Sequence, residues 1–181
     1  LIPLWVADMD FAVSDAILDA LSERLRHPVF GYNFRLNDFS EAIISWEQRR
    51  FNWNINKEWL ISVPGLVPAL SLFVLAFTEP GDGILIQTPV YRPFYDAVID
   101  HNRKLLTSAL INNDGIYSID WDDFENKLKQ AKLFILCSPH NPVGRVWTEE
   151  ELFKIGNLCA KYKVPVFSDE IHADIVYPGY K

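Results

Sequence analysis

The sequence predicts an α/β protein in which helices flank a mostly parallel sheet. From residue 60 onward, short apolar stretches alternate with helical stretches of about 10–15 residues, the pattern of repeated βαβ units. Residues 133–137 are apolar at every position, as expected of a strand that helices cover on both faces. Residues before 60 lack this alternation. We therefore predict an N-terminal arm over residues 1–59 and a sheet domain over residues 60–181.

The N-terminal arm contains two predicted helices. The first is capped by Ser14 and ended by Pro28, and its apolar residues recur at helical spacing. The second begins at Asp38 or Ser40 and runs to Arg50. Three apolar side chains of the second helix are expected to face inward: Ile43, Ile44 and Trp46. An irregular link then leads to the sheet domain.

The sheet domain contains alternating predicted strands and helices. The strands lie at residues 60–63, 84–87, 104–109, 133–137 and 164–168. The helices lie at residues 67–77, 91–101, 121–129 and 149–162. Ligands of open α/β sheets bind beyond the carboxyl ends of the strands. The segments that follow the predicted strands are therefore the candidate ligand site.

Composition and charge limit the possible partners. The chain has 181 residues, of which 49% are apolar and 23% charged, as in a soluble globular protein. Its net charge of −7 argues against a general affinity for nucleic acid or anionic membranes. No apolar run reaches the roughly 18 residues that a membrane span needs. Two cysteines, Cys137 and Cys159, are too few for a disulfide framework or a zinc site, and they fit a reducing cytoplasm.

Four segments at predicted strand ends carry candidate functional residues. Gly65 precedes a helix whose free N–H groups suit a phosphate, although an ordinary turn is the simpler explanation of that segment alone. Tyr91 can stack on a flat ring or fill the rim of the core. Asn141 lies in a rigid turn between two prolines. Asp169 follows an apolar strand, where a carboxylate needs a partner such as a protonated ring nitrogen or an arginine.

Taken together, these residues match a pyridine-type cofactor that carries a phosphate. Such a cofactor needs an anion site, a stacking aromatic, a donor to its ring oxygen and an acid for its ring nitrogen. The sequence resembles the fold type I pyridoxal-phosphate (PLP) enzymes of the class I/II aminotransferase family. Within that family it is most similar to the bacterial cystathionine β-lyase subfamily of the MalY and PatB kind. The matching segments are residues 3–11, 30–32, 62–65, 77–82, 87–91, 138–147 and 168–174.

The resemblance implies a role for each residue around the cofactor ring. Asp169 would pair with the ring nitrogen, and Asn141 would donate to the ring hydroxyl. Tyr91 would stack on the ring. The phosphate would be held at the Gly65 turn by the backbone N–H groups of two residues, Leu66 and Val67.

Four further residues receive roles from the same resemblance. His172 occupies the place where many relatives carry a tyrosine near the ring hydroxyl. Tyr32 resembles a tyrosine that reaches into the neighbouring subunit's site, which implies a homodimer. Ala7 and Asp8 would lie near the substrate amino acid. Tyr91, Asp169 and His172 are the residues expected to take part in catalysis.

The resemblance also implies an activity, with alternatives left open. The expected reaction is β-elimination from a sulfur-containing amino acid, which releases pyruvate, ammonia and a thiol. A PLP-dependent aminotransferase would use the same residues. A non-catalytic α/β interaction module is the alternative of another class. A dinucleotide-binding protein is less well supported, because Gly81 and Gly83 precede a strand rather than a helix.

The family's covalent lysine has no counterpart before Lys181. Neither do the arginines, or their equivalents, that bind the phosphate and the substrate carboxylate. The resemblance therefore predicts that the chain is a truncated subunit, inactive and poorly stable alone.

Overall fold

The structure, a computed structural model, describes residue 2, residues 6–32 and residues 37–179. Within these residues the helices are α1 Asp15–Arg26, α2 Asn37–Phe51, α3 Leu66–Phe77, α4 Pro93–Ile99, α5 Trp121–Leu128 and α6 Glu149–Tyr162, with a short 3₁₀ helix at Lys57–Trp59. The strands are β1 Gly83–Thr88, β2 Lys104–Ala109, β3 Ile111–Asn113, β4 Ile116–Ser118, β5 Ala131–Cys137 and β6 Val166–Asp169.

Four of these strands form one parallel sheet, in the order β2-β1-β5-β6. Helix α4 connects β1 to β2, and α6 connects β5 to β6, so each crossover passes through a helix as parallel pairing requires. Strands β3 and β4 form a separate antiparallel hairpin. The predicted α/β fold with a mostly parallel sheet is confirmed.

Each face of the sheet is covered by its own apolar layer. Successive side chains of a strand point to opposite faces, so Ile84 and Ile86 lie on one side while Leu85 lies on the other. The first layer is formed with α3 and α4 and contains Leu70, Val74, Phe94, Val98 and Ile135. The second is formed with α5 and α6 and contains Phe124, Leu128, Phe134, Trp147 and Ile155. This explains why residues 133–137 of β5 are apolar at every position.

The direction of α3 follows from a contact at its C-terminal end. The guanidinium Nε of Arg103, the residue before β2, donates to Thr78 Oγ1 at 2.9 Å, and Thr78 caps α3. The end of α3 therefore lies at the amino-terminal edge of the sheet. A helix of 12 residues is about 18 Å long, and Phe73 of α3 packs against Phe167 of β6, so α3 extends from that edge across the sheet.

Most predicted elements begin or end one or two residues from the observed bounds, and three of the differences bear on the candidate site. The strand predicted at residues 60–63 is not formed; Leu60 has an extended backbone, but the segment pairs with no strand in the described part of the chain. The helix predicted at residues 91–101 is shorter, because Pro93 occupies its first turn and it is capped at Asp100. The last strand is shifted toward the C-terminus, so that Asp169 is its final residue rather than the residue beyond it.

The hairpin of β3 and β4 was not predicted, although its turn carries a recognisable signal. Asp114 and Gly115 have φ values of 50° and 87°, the left-handed conformations that a tight two-residue hairpin turn requires. Both strands have only three residues, which is too short for an alternating pattern to be visible in the sequence.

The helices before residue 60 bury little surface within the described residues. No residue of α1 is buried. In α2, Ile43 and Ile44 are half-buried as expected, whereas the prediction that Trp46 faces inward is wrong: its side chain is 43% exposed. The indole N–H of Trp46 instead donates to a carboxylate oxygen of Asp174 at 3.1 Å. The division into an arm and a sheet domain at residue 60 stays a prediction.

None of the described helices is long and apolar enough to cross a membrane.

Candidate functional site

Two backbone hydrogen bonds bring three of the predicted site segments side by side at the carboxyl edge of the sheet. The N–H of Tyr91 donates to the carbonyl of Asn141 at 3.0 Å. The N–H of Ser138, the residue after β5, donates to the carbonyl of Asp169 at 3.0 Å. The segments that carry Tyr91, Asn141 and Asp169 are therefore neighbours, as the strand-end rule predicts.

Gly65 lies at the beginning of α3. The first helical hydrogen bond runs from Ala69 N–H to the carbonyl of Gly65 at 3.1 Å. Leu66 and Val67 precede that bond, so their N–H groups have no acceptor within the helix, and Pro68 has no N–H. These free donors and the positive end of the helix dipole suit an anion.

Helix α3 is held against the sheet near the candidate site. The ring of Phe73 packs edge-on against Phe167 of β6, with centroids 5.2 Å apart. The helix therefore crosses the strand that ends at Asp169. No hydrogen bond among the described residues joins Gly65 directly to Tyr91 or Asn141.

Asp169 is a buried carboxylate without a cationic partner among the described residues. Its side chain belongs to a residue that is only 7% exposed, and none of the described ion pairs includes it. Burial raises the pKa of Asp169 above its ordinary value, while the Ile171 N–H, 3.2 Å from Oδ1, and the nearby His172 oppose that rise. The arginine pairing that the sequence left open is not formed within the described residues.

Asn141 and His172 line one cleft with a volume of about 690 Å³. Its walls are the loop of residues 139–146, the hairpin turn at Gly115 and Ile116, and the segment from His172 to Tyr177. Gly65, Tyr91 and Asp169 do not line this cleft, although Tyr91 and Asp169 belong to segments bonded to the loop that does. The structure thus brings Asn141 and His172 together directly, and it brings the segments of Tyr91 and Asp169 beside the same loop.

The segment that carries His172 is held by turns and by α2. Ala173 N–H donates to the Glu170 carbonyl, and Ile175 N–H donates to the His172 carbonyl, each at 2.9 Å. Asp174 is bound by the indole of Trp46 and by the guanidinium of Arg50. These contacts could not be predicted from the sequence, because no local pattern indicates a bond between residues more than one hundred positions apart.

Three predicted residues are not brought to the site by the described contacts. Ala7 and Asp8 are exposed, and Tyr32 is fully exposed. Neither the Asp8 carboxylate nor the Tyr32 hydroxyl makes a hydrogen bond within the described residues. Their assignments to the substrate and to a neighbouring subunit stay predictions.

The sequence of this chain matches a known protein family over almost its whole length. The family model described as aminotransferase class I and II matches residues 1–180. This chain belongs to the aminotransferase class I and II family. It is 48% identical over 182 residues to cystathionine beta-lyase PatB of Bacillus subtilis (strain 168). That match covers 99% of this chain and 47% of PatB, so the chain spans about half the length of the relative.

Solved structures of family members have the same fold over this length. Cystalysin from Treponema denticola, whose crystal structure contains pyridoxal 5′-phosphate, matches with a TM-score of 0.95 and 40% identity, over 100% of this chain and 46% of cystalysin. The PLP-bound C–S lyase from Staphylococcus hominis matches with a TM-score of 0.94 and 40% identity, over 100% of this chain and 47% of the lyase. The resemblance inferred from the motifs is confirmed.

Proposed function

We propose that this chain forms the cofactor-binding part of a PLP-dependent carbon–sulfur β-lyase. The whole enzyme would act on a sulfur-containing amino acid of the cystathionine type and release pyruvate, ammonia and a thiol. One observation of the structure carries the cofactor assignment. Asp169 is a buried carboxylate at the end of β6, and within the described residues it pairs with no cation. A buried carboxylate is costly without such a partner.

The residues at the carboxyl edge fit this cofactor in charge and hydrogen-bonding character. A protonated ring nitrogen would be the missing cation for Asp169. The phosphate would bind the free N–H groups of Leu66 and Val67 at the beginning of α3. Asn141 offers an amide donor for the ring hydroxyl, and His172 lines the same cleft. The partly exposed ring of Tyr91 is available for stacking.

In the proposed mechanism, PLP supplies an electron sink for the negative charge that develops at the substrate's α carbon. Asp169 keeps the proton on the ring nitrogen and so maintains the ring's electron-withdrawing character. Asn141 and His172 fix the ring hydroxyl through hydrogen bonds. Leu66 and Val67 would hold the phosphate through their backbone N–H groups. We assign Ala7 and Asp8 to the substrate side of the same site.

The lysine that takes up the α proton would come from residues beyond this chain. The proposed site is also shared between two subunits, with Tyr32 contributed to a second copy. We propose a homodimer for that reason. The two buried free thiols, Cys137 and Cys159, are compatible with a reducing cytoplasm.

Transamination is the second candidate function, because the described site residues would serve both reactions. The lyase is favoured by the 48% identity to a cystathionine beta-lyase. A non-catalytic module is disfavoured by Asp169, since a purely structural domain has no reason to retain a buried carboxylate without a cation.

The proposal is tested on the full-length protein purified with PLP. The visible absorption band of the bound cofactor should appear, and cystathionine should yield thiol and pyruvate in equal amounts. A parallel assay with an amino acid and a 2-oxo acid measures amino transfer. Amino transfer without thiol release would establish the aminotransferase instead, and the absence of a cofactor band would contradict both enzyme assignments.

A further inference from the structure

Two loops at the carboxyl edge are linked by two hydrogen bonds of different kinds. We define the Pro89 loop as residues 88–92 and the Asn141 loop as residues 138–144. The first link joins the backbone N–H of Tyr91 to the carbonyl of Asn141 at 3.0 Å. The second joins the imidazole Nε2 of His140 to the carbonyl of Pro89 at 2.8 Å. Only the second depends on the identity of a side chain.

The His140 ring is held in one orientation and one protonation state. The residue is 1% exposed, and Nε2 faces a carbonyl oxygen, which can only accept, so Nε2 carries the proton. Burial lowers the pKa of His140, which keeps the imidazole neutral. The ring packs edge-on against Trp147, with centroids 5.6 Å apart and an interplanar angle of 86°. Trp147 is in turn fixed by its indole N–H, which donates to the Cys137 carbonyl at 2.9 Å.

The backbone of His140 is fixed as firmly as its ring. Its N–H donates to the Arg145 carbonyl at 2.7 Å, and its carbonyl accepts the Gly144 N–H at 2.8 Å. These two bonds close the Asn141 loop on itself. The His140 ring is attached to this closed loop and bonded to the Pro89 carbonyl. It therefore fixes the distance between the Asn141 loop and the Pro89 loop.

We propose that His140 is a positioning residue that holds Asn141 and Tyr91 in a fixed mutual arrangement. His140 precedes Asn141 in the chain, and Pro89 lies two positions before Tyr91. The inference rests on the proposed function, in which Asn141 binds one edge of the cofactor ring and Tyr91 its face. His140 contacts neither the cofactor nor the substrate in this arrangement. Its effect reaches the site through the two neighbouring residues.

Two amide substitutions at position 140 separate the hydrogen bond from the general effect of changing a buried residue. In His140→Gln the side-chain NH₂ reaches the position of Nε2 and retains a donor to Pro89. In His140→Asn the NH₂ ends near the position of Nδ1 and cannot reach that carbonyl. Both replacements are polar and neutral, so the difference between them reports the bond. Leu128→Ala is the control, because Leu128 is fully buried in the layer formed with α5 and α6.

The first measurement uses the cofactor-free full-length protein and does not depend on the proposed function. Hydrogen exchange in the peptide that contains Tyr91 reports the bond from Tyr91 to Asn141. We expect faster exchange in His140→Asn than in His140→Gln, with Leu128→Ala resembling the wild type in this peptide. Equal exchange in the two amide variants would overturn the inference, whether or not the protein binds PLP.

The second measurement uses the PLP-loaded protein. The loss of one hydrogen bond to a buried carbonyl predicts that His140→Asn binds PLP about tenfold more weakly than His140→Gln. The visible circular dichroism of the bound cofactor, which reports the ring's surroundings, should also change in His140→Asn and return toward the wild type in His140→Gln. Equal PLP affinity and equal dichroism in the two variants would overturn the positioning role. A wild-type protein that binds no PLP would overturn the proposed function instead.

Discussion

Arg50 binds Asp174 through both the carboxylate and the backbone of that residue. Nε of Arg50 lies 3.2 Å from Oδ1, and Nη2 lies 3.3 Å from the carbonyl oxygen. The indole of Trp46 approaches both carboxylate oxygens of Asp174, at 3.1 and 3.2 Å. Helix α2 therefore contacts the segment that follows β6 and carries His172. This is a connection between the beginning of the chain and the candidate site.

Asp174→Asn should loosen the segment after β6 with little loss of overall stability. Both side chains of the pair are 47% exposed, so a double-mutant cycle with Arg50→Met should give a coupling energy of about 0.2–1 kcal/mol. Hydrogen exchange over residues 170–176 should nevertheless become faster. The matched control is Arg92→Met, which removes the exposed Arg92–Asp96 pair and should leave that segment unchanged. Unaltered exchange in Asp174→Asn would show that α2 does not hold the segment.

Asp169→Ala in the full-length enzyme should reduce turnover far more than cofactor binding. A charge-assisted hydrogen bond contributes about 1.5–3 kcal/mol, so PLP should bind more weakly but still bind through its other contacts. The chemical step should be slowed more, because negative charge enters the ring only in the transition state. The rate is measured per PLP-loaded site. A near-normal rate per loaded site would mean that Asp169 has only a structural role.

Asp169→Asn should make the cofactor-free protein more stable at neutral pH and less sensitive to pH. Burial raises the pKa of Asp169, so the folded state binds the proton more tightly than the unfolded state. The carboxyl group is therefore most compatible with folding at low pH, and stability falls as the pH rises above the ordinary value of 3.8. Urea unfolding of both proteins from pH 3.8 to neutral pH measures the difference between their free energies of unfolding. If the free energies of unfolding of the two proteins depended on pH in the same way, the prediction would be contradicted. PLP should stabilise the wild type more than the variant.

Glu125→Gln should cost stability at neutral pH and nothing in strong acid. Hydrogen bonds from Lys161 and Tyr162 lower the pKa of Glu125 from 4.5 to about 2. A lowered pKa in the folded state means that the carboxylate stabilises folding above pH 4.5 and loses this effect as the pH falls toward 2. Denaturation midpoints of wild type and variant should therefore converge over this interval. The effect is small, because the ion pair is exposed.

Phe134→Ala should destabilise the protein by about 3–5 kcal/mol, since it removes a fully buried ring and leaves a cavity. The ring packs edge-on against Phe124, with centroids 5.1 Å apart. Phe153 is 65% exposed and provides the control: Phe153→Ala should change stability by less than about 0.5 kcal/mol. Unfolding of the full-length protein in urea measures both. Similar losses in the two variants would contradict the assignment of the core.

Elements with strong local signals were predictable from the sequence. Strand β2 and helix α6 have the predicted bounds at both ends. In α6, Thr148 accepts the N–H of Glu151 and the Glu151 carboxylate accepts the N–H of Thr148, a capping box that fixes the start of the helix. The positions of Asn141 and Asp169 at strand ends were predictable for a similar reason, because Asn141 follows the apolar residues of β5 and Asp169 ends β6.

Features that depend on distant partners could not be predicted. Residues 60–63 are apolar like a strand, but whether they pair depends on what lies beside them in the fold. The same holds for the bond between His140 and Pro89 and for the one between Arg50 and Asp174. Each joins segments whose approach is decided by the order of the strands, which no local pattern in the chain reveals.

The pairing of β1 with β5 has a consequence for synthesis on the ribosome. Gly83 pairs with Ala131, so the centre of the sheet cannot close until the chain has passed the hairpin and α5. Asp169, on the next strand, is added later still. A nascent chain that has just emerged as far as the turn at Gly65, the proposed phosphate site, therefore still lacks the other segments of the proposed cofactor site. In the proposed enzyme, cofactor loading would therefore follow the non-local assembly of the sheet rather than guide its first steps.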